Sequence, residues 1–273
     1  MSFTPIVQSL EKSKIRPRSC IWWCPTTEFT LLAIHAAGPY EENKDNLSDV
    51  YISSYTPTLA THSCEKAGFS RSVLATFCCH WSSEPRGKGL RCVTPELSIV
   101  AKRLEPTVSS LTSLEDSEAT VQGALDALNH KQRLHLACHG IPNRQQPFES
   151  SFAMRDGPLM IKDIIRSNWQ NLEFAFLSAC HTTVGDEKSH DESIHLAAAM
   201  QSCGFRGVIG SMWSVDDEVA RQVVSAFYRK LIRVDDSRRL DCTHAAVALH
   251  KAVKSLRNKI LLGQQIVFVH MGV

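Results

Sequence analysis

The chain has 273 residues, with 30 lysines and arginines against 28 aspartates and glutamates, a formal net charge of +2. Hydrophobic residues make up 43% of it and charged residues 21%, and its 13 glycines and 11 prolines are too few for a collagenous or disordered chain. So mild a charge argues against nucleic acid or an anionic membrane as the main partner, and the length suits either two domains or one large α/β domain.

The first 17 residues are polar and uneven and read as an N-terminal tail, with no apolar stretch of the length a signal peptide requires. CIWWC and FTLLAI, split by the turn-like PTTE, predict a β-hairpin. A loop follows in HAAGPYEENKDNLSD, then a strand in VYISSYT, with Thr56 and Pro57 opening a helix after it. SVLATFCCHW reads as a buried strand. TPELSIVAKRL has apolar residues at Leu97, Val100, Ala101 and Leu104 and reads as a helix capped by Thr94. SEATVQGALDAL is a helix expected to be capped by Ser117, and RLHLACHG a strand. SFAMRDGPLMIKDIIRSNW carries a hairpin turn at Asp156-Gly157 before a short helix.

LEFAFLSAC is the next strand, HDESIHLAAAMQSCG a helix closed by Gly204, and FRGVIGSMWSV a strand. DDEVARQVVSAFYRKLI and HAAVALHKAVKSL are two more helices, and IVFVHMGV ends the chain as an expected edge strand. Strands alternating with helices predict an α/β fold, a mainly parallel sheet covered by helices on both faces. Ligand sites in such sheets lie beyond the carboxyl ends of the strands.

Ten cysteines are present: Cys20, Cys24, Cys64, Cys78, Cys79, Cys92, Cys138, Cys180, Cys203 and Cys242. The chain is far longer than the secreted scaffolds that depend on disulfides, and no apolar run approaches the roughly 18 residues of a membrane span. The thiols are expected to be reduced, in a cytoplasmic protein, and to serve mostly as small buried hydrophobes. No metal or cofactor is expected. Cys20-x3-Cys24 lacks a second ligand pair, and neither GxGxxG nor a Walker A loop occurs.

Two strands deliver a reactive residue at their carboxyl ends, His139 in RLHLACHG and Cys180 in LEFAFLSAC, 41 residues apart (180 − 139). On neighbouring strands, both would reach one rim. An imidazole beside a thiol raises its thiolate fraction, which is what a cysteine nucleophile needs. Gly140 allows a sharp turn, and its N–H could join that of Cys180 in binding an oxyanion. Strand alternation sends Cys138 to the opposite face, with Leu134 and Leu136, into the core. His35, in HAAG, reads as a hydrogen-bonded structural histidine.

HLACHG, the F-A-M-R-DG-P-L segment, FLSACHTTVGD, DESIHLAAAM, GVIGSMWSVDD and AFYRKL together resemble the CHAT domain, a caspase-like family related to separase. CIWWCP, HAAG, SSYTPTL and FVHMG resemble its fungal members in particular. The resemblance runs over residues 18–273 as one domain. It implies a caspase-like three-layer α/β sandwich and a cysteine endopeptidase with His139 as general base and Cys180 as nucleophile. It further implies an acidic residue that receives a basic substrate side chain, for which Asp216 or Asp217 is the match. Both aspartates also stand where acidic residues cap a helix, so the two readings stay open. A protein substrate is the expected partner, together with a regulatory repeat protein in trans, because no repeat period is visible in this chain. The rival reading is a catalytically silent scaffold serving protein interaction or signalling.

Overall fold

A computed structural model describes residues 8–10, 12–26, 29–30, 32–41, 45–58, 75–80, 93–108, 110–129, 131–141, 143, 146–167, 172–178, 193–234 and 241–272. Its frame is an eight-stranded sheet. The strands are β1 (Cys20–Trp23), β2 (Ile52–Tyr55), β3 (Ala75–His80), β4 (Ser110–Leu114), β5 (Arg133–Ala137), β9 (Phe174–Leu177), β10 (Gly207–Ser211) and β11 (Phe268–Gly272). In space they run β1-β2-β11-β10-β9-β5-β3-β4. All neighbouring pairs are parallel except β10 and β11, which are antiparallel. A small antiparallel sheet of β6 (Gly140–Ile141), β7 (Ser151–Ala153) and β8 (Pro158–Met160) stands beyond β5.

The central strands are apolar on both faces, as a covered parallel sheet requires. Leu134, Leu136, Ala175, Leu177 and Val208 face one core together with Cys138. That side is closed by α3 (Val121–Leu128), α4 (Ile161–Arg166) and α5 (Ser193–Ser202). Ala137, Phe174, Phe176 and Ile209 face the other core, under α2 (Val93–Leu104), α6 (Asp217–Val234) and α7 (Ala245–Leu256). Two shorter helices, α1 (Leu47–Val50) and α8 (Leu262–Gln265), complete the set. The result is the expected three-layer sandwich, with Cys138 in the core on the face that alternation assigns it.

Aromatic packing fastens β9 to α6. Phe174 and Phe227 stack at 5.8 Å between centroids, Phe176 meets Phe227 at 5.2 Å, and Phe227 meets Tyr228 edge-on at 5.1 Å. Each such pair contributes about 1 kcal/mol beyond the area it buries.

Several local expectations hold. Asp156-Gly157 makes the β7–β8 turn, where Met154 N–H donates to Gly157 O at 2.9 Å. Gly204 closes α5 with φ +108°, a conformation that costs glycine little.

Others are corrected. CIWWC and FTLLAI do not form a hairpin, since β1 pairs in parallel with β2 and FTLLAI ends in a 3-10 turn at Ile34–Ala36. A local turn signal cannot announce a partner about 30 residues away. The cap of α3 is Thr120, whose side chain accepts from Gly123 N at 3.1 Å, rather than Ser117. Asp156 adds a second acceptor there, taking Val121 N at 2.8 Å.

The last strand is not at an edge, because β11 lies between β2 and β10. It fits through Gly272, at φ +118°, where a Cβ would sit 2.0 Å from Arg206 O. The strand β4, SLTSL, escapes sequence reading because a polar edge strand carries no apolar pattern.

Candidate active site

His139 lies two residues past the end of β5, after Cys138, and immediately precedes β6. Its carbonyl accepts from Ala153 N at 2.8 Å, so the small sheet pins the backbone at this point. The ladder pairs Gly140 with Phe152 and Ile141 with Ser151, which makes 139 and 153 a hydrogen-bonded pair and 140 and 152 a non-hydrogen-bonded one. In such a ladder the N–H of the non-hydrogen-bonded residue points away from the partner strand. Gly140 therefore presents its N–H on the side opposite β7. Beyond it, Ile141 and Phe148 are exposed, at 47% and 52%.

β5 and β9 are adjacent and parallel, with Arg133 opposite Phe174 and Leu136 opposite Leu177, an offset of 41 residues (174 − 133). Ser178 N–H carries the pairing one step further by donating to Leu136 O at 2.8 Å. Cys180 and the adjoining His181 lie outside the described residues.

β10 is the next strand, and its carboxyl end leads through Met212 and Trp213 to Asp216. Asp216 is exposed and caps α6, its Oδ1 accepting from Glu218 N at 3.0 Å and Val219 N at 3.2 Å. Its own N–H donates to Gln264 Oε1 at 2.9 Å. Trp213 Nε1 likewise donates to Gly263 O at 3.2 Å, so α8 braces the segment that carries Asp216. Asp217, half-exposed, begins α6. Glu218 pairs with Arg221, which holds its carboxyl down to about 2 and removes it as a rival. The capping reading of Asp216 thus accounts for Oδ1, while Oδ2 has no hydrogen-bond partner among the described residues.

Sequence reading missed a buried polar bridge behind this rim. His135, fully enclosed on β5, lies 2.9 Å from Glu96 Oε1 of α2 through Nε2 and 3.1 Å from Tyr228 Oη of α6 through Nδ1. A histidine facing the same way as Ala137 in an otherwise apolar strand was the available signal. The bridge ties two helices to the strand that ends at His139.

His35 is structural, as expected. Its Nε2–H donates to Ile266 O at 3.0 Å, which leaves Nδ1 to accept from Tyr55 Oη at 2.8 Å. Burial lowers its pKa to about 4. Burial also raises the thiols of Cys20 to about 11 and of Cys203 and Cys242 to about 12, so these three are poor nucleophiles at neutral pH. The described Cys20, Cys24, Cys203 and Cys242 are free thiols. Among the described residues no group of three or more histidines, cysteines or carboxylates could hold a metal. No described helix is long and apolar enough to cross a membrane.

A family model described as CHAT domain matches residues 1–261. Among solved structures, the complex of Porphyromonas gingivalis RgpB pro- and mature domains is similar at TM-score 0.62 and 10% identity, covering 98% of this chain and 67% of that one. The Arg-specific cysteine proteinase gingipain R matches at TM-score 0.55 and 11% identity, covering 86% of this chain and 56% of the other. A Saccharomyces cerevisiae separase–securin complex matches at TM-score 0.50 and 15% identity, over 89% of this chain and 15% of that chain. The chain thus spans a little over half of gingipain R and a small part of separase. Against curated proteins the sequence finds no match. At these identities the likeness is one of fold, and that fold is the caspase-like one of cysteine peptidases.

Proposed function

We propose that this chain, which belongs to the CHAT domain family, is a cysteine endopeptidase with His139 and Cys180 as its dyad. The observation that carries the reading is the register. The 41 residues between His139 and Cys180 equal the offset between β5 and β9, so a ladder continued past Ser178 would set the two residues opposite each other.

In this mechanism His139 takes the Cys180 thiol proton and the thiolate attacks the scissile carbonyl carbon. The Gly140 and Cys180 N–H groups hold the oxyanion, and the outward N–H of Gly140 supports that role. The imidazolium then protonates the leaving amine as the C–N bond breaks. Water, deprotonated by His139, releases the acyl group and restores the thiol. Ile141 and Phe148 offer apolar contacts to the substrate chain beside the dyad.

A basic residue is the preferred one on the acyl side. Asp216 would receive it through Oδ2 while Oδ1 keeps the cap, and Asp217 is the second carboxylate within the same turn. Charge-assisted hydrogen bonds to a guanidinium or ammonium are the strong kind. That gingipain R is Arg-specific on the same fold supports this choice. The substrate is a protein, and a repeat protein acting in trans would be its regulator.

Cleavage of a peptide library by wild-type protein and by Cys180→Ala tests the proposal. Loss of cleavage in the variant is expected, with cuts after Arg or Lys that weaken about tenfold or more in Asp216→Asn. Unchanged cleavage in Cys180→Ala would discard the dyad, and cuts after Asp would discard the pocket. A wild-type Cys180 no more reactive toward a thiol probe than the other nine thiols would favour the silent scaffold.

A further inference from the structure

β2 and β11 are parallel neighbours, with Tyr55 opposite Met271. Against them lies a cleft of about 790 Å³, including its solvent-open mouth, bounded by α7, by α8 and by His35, Tyr40, Ser48 and Tyr51. Leu249, Val253, Ile266 and Phe268 make its walls apolar.

Its lining also carries polar side chains, among them Ser48, Ser53, His250 and Gln265. At the mouth, Arg257 and Lys254 face the carboxylate of Asp49. Asp49 is already engaged, by Arg257 Nη1 at 2.5 Å and by Asn46 N at 3.0 Å. Lys254 stays 3.9 Å from it with half its side chain in solvent. The mouth therefore keeps one cation in excess.

Inside, His35 and Tyr55 satisfy each other, but His270 does not close its circuit. Ser54 Oγ donates to Gly272 O at 2.7 Å and so accepts from His270 Nδ1 at 2.8 Å. The proton is thereby fixed on Nδ1. Nε2 is left a bare acceptor, enclosed and without a partner among the described residues, on a side chain 2% exposed. Nε2 packs closely against Gly207 of β10, where a Cβ would crowd it at 3.2 Å.

We propose that this cleft binds a small amphipathic organic acid, with an apolar body against β2, β11 and α7 and an anionic group at Lys254. The site also touches the candidate active site. Leu262, Gln265 and Ile266 line the cleft, while the intervening Gly263 and Gln264 hold Trp213 and Asp216. A ligand that shifts α8 would be felt at the specificity segment, so the cleft is an effector site. That consequence rests on the proposed peptidase function; the binding itself does not.

The test is calorimetric titration of the full chain with 8-anilinonaphthalene-1-sulfonate, which joins an aromatic body to an anion. Its uncharged counterpart N-phenyl-1-naphthylamine serves as comparison. One saturable site is expected, with Lys254→Glu weakening the sulfonate about tenfold and leaving the neutral probe unchanged. Leu249→Trp, which fills the cleft, should abolish both. If that variant loses its fold by circular dichroism, Val253→Trp replaces it. The proposal is overturned if the folded protein shows no saturable binding, if both probes ignore the filled cleft, or if Lys254→Glu leaves the sulfonate's affinity unchanged. No peptidase assay enters, so an inactive dyad would leave the result standing.

Discussion

The antiparallel seam between β10 and β11 divides the sheet into two arms that treat the same residue type in opposite ways. On the five-strand arm, from β10 to β4, His139 lies beyond the carboxyl end of its strand and is only partly buried. On the three-strand arm, β11-β2-β1, His270 is enclosed and bonded to Ser54, and His35, in the 3-10 turn bonded to that arm, is committed to Tyr55 and Ile266. His135 shows that the difference is position along a strand rather than the arm itself. It lies four residues before His139 on the same chain segment and is locked between Glu96 and Tyr228. A histidine inside a strand is a packing element, and one just past its carboxyl end is available for chemistry.

The sharpest way to break this contrast is a reciprocal pair of variants. His139→Ala should reduce peptidase turnover by on the order of 10³-fold while leaving the thermal midpoint close to wild type. His135→Ala should do the reverse, lowering stability by about 3 kcal/mol or more, because Glu96 is left buried without its partner. Chemical denaturation and turnover measured on the same samples decide the matter. If His135→Ala abolished turnover at full stability, the division between packing and chemical histidines would be wrong.

The three-strand arm predicts a pH dependence. His35 and His270 titrate near 4 when folded, against 6.5 when exposed, so between those values the unfolded chain binds more protons than the folded one. Their contribution is complete above pH 6.5 and is lost as pH falls toward 4, by about 3 kcal/mol for each histidine. His270→Gln should remove about half of that slope. Denaturant midpoints between pH 7 and 4 measure it, and an unchanged slope would mean that His270 is not held neutral.

The smallest expected effect concerns the two readings of Asp216. Asp216→Ala loses the cap and should cost about 1 kcal/mol of stability, whereas Asp216→Asn keeps a capping oxygen and should cost only a few tenths. Cleavage after basic residues should weaken in both. Weakened cleavage confined to Asp216→Ala would make the cap, rather than the charge, the property that matters.

Much of the five-strand arm was legible in the residues. Its strands are separated by helices with clear periodicity, and the 41-residue interval between His139 and Cys180 already contained the β5–β9 offset. The strands of the three-strand arm were legible one by one, but their pairing was not. Its partners come from the two ends of the chain, and no local pattern reports that FVHMG inserts beside β2 and turns against β10. The cap of α3 was misplaced for a related reason. Ser117 and Thr120 are both good caps within one turn, and tertiary contact with Asp156 favours the later start.

Sequence alone determined the fold class, the two-faced apolar strands and the candidate dyad, because these follow from periodicity and from intervals along one chain segment. Tertiary structure alone decided which histidines are buried, where the seam falls, that Asp216 shares its backbone bracing with α8, and that a cleft lies against β2, β11 and α7. Those properties arise from groups brought together across as many as 250 residues, as in the hydrogen bond from Trp22 Nε1 to Gly272 O. Such contacts depend on the closed three-dimensional path of the chain and leave no local signature in its residues.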